Sequence, residues 1–112
     1  MTEKELSENI KSVWASAELV YSTKDFTSAA ILYFKAAFSI LDLILLRSDK
    51  KVPKDHTERF RMLEGKYPDM YEFLDKFFKV YRDTYTTTID KETCERVKGN
   101  VKRIIEEYEV HV

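Results

Sequence analysis

Few residues in this chain of 112 are of types that do chemistry, and their spacing limits what they can do. Two histidines, His56 and His111, and one cysteine, Cys94, cannot supply a zinc site at the usual ligand spacings. No Glu-x-x-His pair is present for a di-iron bundle. Two glycines cannot build a phosphate-cradling loop. Neither a metal nor a cofactor is therefore expected. A nucleophilic arrangement would have to rely on His56, which stands in no supporting motif and reads as a loop or helix-start residue making a local hydrogen bond. Cys94 reads as a small apolar residue on a helix rather than a reactive thiol. Lys35 and Asp42 interrupt an apolar run seven residues apart, so they fall on nearly one side of a helix. They form either a narrow polar seam on its outer edge or, with Asp42 inside, one half of an ion pair. A carboxylate taken out of water needs such a partner, and Arg82 is its leading candidate.

The elements that hold these residues follow from periodicity. Thr2 and Glu5 have capping-box spacing, and Leu6, Ile10, Val13, Trp14, Ala17, Val20 and Tyr21 recur at steps of three and four, predicting a helix over 2–23. A joint at Lys24 and Asp25 leads into a second helix over 26–46, with Asp25 as N-cap. Its sequence, FTSAAILYFKAAFSILDLILL, is apolar around most of the circumference. That length would suffice to cross a bilayer. Lys35 and Asp42 are costly at such depth, and no aromatic belt or second apolar stretch accompanies them, so burial in a bundle or against a partner is expected instead. The charged stretch 47–55 contains Pro53 and breaks the chain. A short helix over 57–63 ends at Gly65, and Pro68 opens a third long helix whose stripe is Met70, Phe73, Leu74, Phe77, Val80, Tyr81 and Tyr85. The β-branched run 84–89 weakens that helix towards its end. Asp90 caps the last helix, whose core face carries Cys94, Val97, Val101, Ile104, Ile105 and Tyr108. Gly99 there is a weak point of about 1 kcal/mol relative to alanine or a site of close helix approach.

Composition agrees with an all-α reading. The chain is 44% hydrophobic, which excludes a disordered segment, and its two Gly and two Pro leave few breakers. Its length suits one domain, 1–112, and predicts an antiparallel up-down bundle of four long helices plus one short one. A net charge of −1 excludes a nucleic-acid binder held by overall charge, though not a local basic patch. A lone cysteine and a polar start predict a cytoplasmic location. Charged residues at 35%, with no glutamine, hint at a thermophilic source.

The layout resembles the HEPN superfamily of helical-bundle domains. The stretch SAAILYFKAAFSILDLILL is similar to that family's apolar Tyr/Ala-rich helix, and Asp55-His56-Thr57 to the segment before its short helix. Tyr81-Arg82-Asp83 and the Asp90-Lys91-Glu92-Thr93 start of the last helix continue the match, which covers most of the chain up to Ile105. The resemblance implies a homodimer, and in many members a metal-independent RNase toxin paired with a nucleotidyltransferase-like antitoxin. The family's active motif is an Arg, usually followed by a polar residue, then a His after four to six intervening residues. Arg82-Asp83 fits the first half. The positions for the His hold Thr87, Thr88 and Ile89, and a threonine hydroxyl cannot replace an imidazole as general acid or base.

Three function classes follow. The first is a non-catalytic HEPN-like binding module, acting as a homodimer or with a nucleotidyltransferase-like partner in a toxin–antitoxin or defence-type system, with RNA or a nucleotide as its ligand and no membrane. The second is an endoribonuclease with an altered site of Arg82, Asp83, Tyr85 and His56. The third is a helical-hairpin adaptor, against which the absence of a roughly 34-residue repeat counts for the tetratricopeptide form. The missing His favours the first.

Overall fold

A computed structural model describes residues 2–112, and all regular structure among them is helical. The helices are α1 (Glu3–Ser22), α2 (Phe26–Asp49), α3 (His56–Glu64), α4 (Pro68–Asp83) and α5 (Lys91–Glu107). Four of the five starts are fixed by a side-chain oxygen that accepts from a backbone N–H three residues on. Thr2 accepts from Glu5 at 3.1 Å, Asp25 from Ser28 at 3.1 Å, Asp55 from Glu58 at 2.8 Å and Asp90 from Thr93 at 2.8 Å. Each bond satisfies a donor the helix cannot satisfy itself. Helix α4 opens on Pro68, whose missing N–H costs nothing at that position.

Two ends depart from expectation. Helix α2 runs three residues past Leu46 and stops where Lys50 turns left-handed, at φ 60°. Helix α4 ends at Asp83, so Tyr85 leaves the apolar stripe assigned to it and stands 72% exposed. The β-branched run is the cause: Thr84 to Thr86 form turns, with the Thr84 hydroxyl donating back to the Tyr81 carbonyl. Gly99 is exposed, and a Cβ added there would meet nothing within 4 Å. It is a propensity weak point, not a site of close approach.

Helix α2 is the central element, touched by α1, α3, α4 and α5. Length and composition alone would let it cross a membrane, at a mean hydropathy of 2.0, yet 61% of that stretch is buried by the rest of the chain. Tyr33, Phe34, Ile40, Leu41, Leu43 and Leu45 are all within 1% of full burial. Removing each such side chain from water contributes about 1.5–3 kcal/mol, so the core is built chiefly on this helix.

Paired residues give the directions. Glu3 at the start of α1 meets Arg47 near the end of α2 at 2.7 Å, so these two run oppositely. The Ile89 N–H donates to the Thr27 hydroxyl at 2.8 Å, placing the starts of α2 and α5 together. Tyr108 reaches Asp69, and the Arg96 guanidinium lies over Phe77, which runs α5 against α4. The radius of gyration, 13.4 Å, is that of a compact body of this size.

Candidate functional site

The residues most able to do chemistry gather where α3 and α4 meet the middle of α2. Asp55 caps α3, so His56 is its first residue and Arg59 follows three later on the same face. This side of α3 faces α2, and there Arg59 takes the Asp42 carboxylate in a bidentate grip. Its Nε donates to Oδ1 at 2.8 Å and its Nη2 to Oδ2 at 3.0 Å. Arg59 is only 7% exposed, and its guanidinium also lies 5.2 Å from the centroid of the Phe38 ring. The expected partner of Asp42, Arg82, plays no part. Helix α3 lies between that region of α2 and solvent, and it brings its own arginine. Lys35, seven residues away on α2, is exposed, so the supposed pair of polar positions divides, one outward and one inward.

The third arm of Arg59 fixes His56. Nη1 approaches His56 Nδ1 to 2.6 Å. A guanidinium can only donate, so Nδ1 must be the acceptor and the ring proton must lie on Nε2. The imidazole is enclosed by Phe38, Phe78 and Tyr81, with ring centroids at 4.8, 5.3 and 5.6 Å. Burial, and then the Arg59 charge, hold the His56 pKa below its ordinary value, against smaller opposing effects of Asp42 and Asp55. The ring is neutral at pH 7.

The remaining candidates lie at the rim. Tyr81 and Tyr85 share a hydrogen bond between hydroxyls at 2.9 Å, which raises the Tyr81 pKa, with burial adding to it. Arg82 is exposed and stacks 5.9 Å from the Phe78 ring, without an ion pair among the described residues. Asp83 is tied instead to Lys79 at 2.9 Å, one turn back on the same helix. The structure therefore brings His56, Tyr81 and, across Phe78, Arg82 into one cluster, and leaves Asp83 turned to a neighbour of its own. Arg59 was missed in the sequence. A signal existed, because His56, Arg59 and Leu63 share one face of the short helix, but two of the three are polar and the helix reads as superficial.

A second polar node joins α1, α2 and α5. Lys98 pairs with Glu18 at 3.2 Å and lies 4.4 Å from the Tyr21 ring centroid. The Tyr21 hydroxyl donates to Glu95, and that bond to a carboxylate pushes its pKa up to about 12. Cys94 is buried nearby and its thiol is pushed up to about 11, chiefly by burial, so it is protonated at neutral pH and no nucleophile. Among the described residues no group of three His, Cys, Asp or Glu side chains converges as metal ligands.

Comparison with known protein families, characterised proteins and solved structures finds no match to this chain. Its chemistry has to be read from its own geometry.

Proposed function

We propose that the chain is a HEPN-like helical module, its long helices in up-down order, that binds and does not cleave. It acts in the cytoplasm as a homodimer or beside a nucleotidyltransferase-like protein, in a toxin–antitoxin or defence-type setting. The observation that carries the non-catalytic reading is the state of His56. A general base needs a free lone pair, and the Nδ1 lone pair is taken by Arg59. The other nitrogen carries the proton of a neutral imidazole, which is far too weak an acid to protonate a leaving group at pH 7. Becoming an imidazolium would set a second positive charge against Arg59. On this reading His56, which lies across Phe78 from Arg82, serves structure.

Arg82 and Tyr85 supply the binding side of the reading: an exposed guanidinium with no ion pair among the described residues and, three positions on, an exposed phenol, suited to a phosphate and a base or ring. The dimer draws little support from α2, whose apolar excess is largely absorbed by its own chain; Leu19, at 69% exposure, and Ile31 remain as apolar surface. Incubation with total RNA, beside an Arg82→Ala control, tests the reading. Intact RNA is expected in both. Cleavage that disappears in the variant would sink it in favour of an Arg82-centred endoribonuclease. Mass in solution is the companion measurement, where a value at the 13.3 kDa of one chain removes the homodimer.

A further inference from the structure

At the end of the molecule opposite the α2–α3 loop, the joint between α1 and α2 meets the first turn of α5 and leaves a cleft of about 350 Å³. Its lining is Tyr21, Ser22, Lys24, Phe26 and Lys91. That volume lies within the range of about 300–1,000 Å³ over which small molecules are held. The rings of Tyr21 and Phe26 meet edge to face at 5.5 Å and give the cleft its apolar wall. Among the described residues that line it, the charged groups are the ammonium groups of Lys24 and Lys91, with the Glu95 carboxylate at the edge. Lys24 has no ion pair among the described residues, and the nearest carboxylate to Lys91 is Glu95 at a loose 3.8 Å, itself engaged by the Tyr21 hydroxyl. The two carboxylates adjacent in sequence, Asp25 and Asp90, are occupied as N-caps by Ser28 and Thr93, and those bonds hold both below the usual carboxylate range. An aromatic wall beside two cations, with Asp25 and Asp90 held in their caps and Glu95 tied to the Tyr21 hydroxyl, suits a ligand with one flat apolar part and one negative charge that competes with Glu95 for Lys91.

We infer that this cleft is a binding site for a small aromatic carboxylate, its ring against Tyr21 and Phe26 and its carboxylate between Lys24 and Lys91. The site is independent of the His56 cluster and of the function proposed from it.

Phenylacetate is the probe, followed by amide chemical shifts in the full-length chain. Saturable shifts confined to residues around 21–28 and 91 are expected, and neutral phenylacetamide should bind several-fold more weakly. Lys24→Gly deletes one cation at a position whose φ of 69° suits glycine, so this variant is expected to fold at least as well as the parent. It should weaken phenylacetate about threefold to fivefold, the upper part of the range for one exposed charge pair. Lys91→Ala, at an exposed first-turn position, should do the same. Absence of saturable shifts, equal binding of the amide, or full affinity in both lysine variants would each overturn the assignment.

Discussion

At the scale of the residue, the molecule turns on how Arg59 spends its donors. Two go to Asp42 and one to His56, joining α2 to α3 through a guanidinium that is almost out of water. Removing one member of such a pair leaves the other charge half-buried and unpaired, which costs more than the pair itself contributes. Arg59→Ala should therefore lower unfolding stability by about 2–4 kcal/mol in urea titrations. The double variant Asp42→Leu/Arg59→Met should recover most of that loss, and failure to recover it would show the pair has a further role. The imidazole adds a pH dependence with a definite sign. Its folded pKa is depressed, so above the unfolded value of 6.5 it is neutral in both states and folding is linked to no proton. As pH falls below 6.5 the unfolded chain protonates first, and stability drops until the lowered folded pKa is passed. His56→Gln keeps an acceptor for Arg59 without titrating, so its stability should fall less than that of the parent as pH drops below 6.5. Equal slopes would refute the depressed pKa.

At the scale of the element, local rules explain most of what the sequence made legible. Thr2, Asp25 and Asp90 announced three helix starts because an N-cap is a contact within four residues. The β-branched run after Thr84 was visible as a weakness, but not that it would end α4 early enough to expel Tyr85. Gly99 now has a single reading, an exposed interior helix position with open space about it. Gly99→Ala should stabilise the chain by about 0.5–1 kcal/mol, seen as a higher thermal midpoint. A lower midpoint would mean that a neighbour approaches after all. The partner of Asp42 was beyond local rules. Choosing Arg59 over Arg82 requires knowing that residues 50–55 double back and lay α3 along α2, a non-local fact that no spacing within α2 encodes.

At the scale of the whole molecule, one helix is the shared wall of every other. The apolar pattern over 26–46 foretold that it would be covered, and length and composition foretold an all-helical body. What the pattern could not tell was the covering, because an all-round apolar helix looks alike to a membrane, a partner subunit or its own chain. Here its own chain covers most of it. Amide hydrogen exchange should be slowest in the middle of α2, around Phe34 to Leu41, and fast in the loop 50–55 and in α3. Protection in α3 equal to that in α2 would contradict this ordering.

The place of α5 against α2 has a consequence for synthesis. The chain leaves the ribosome amino end first, and α1 can fold back on α2 at once. The flank of α2 that starts beside Thr27 must wait for the last 17 helical residues, Lys91–Glu107, before it is sheltered. A nascent chain stalled before Lys91 therefore presents the most apolar helix of the protein with one side bare. Such a truncated chain should require a chaperone to stay soluble, although most of the residues of the finished fold have already been made.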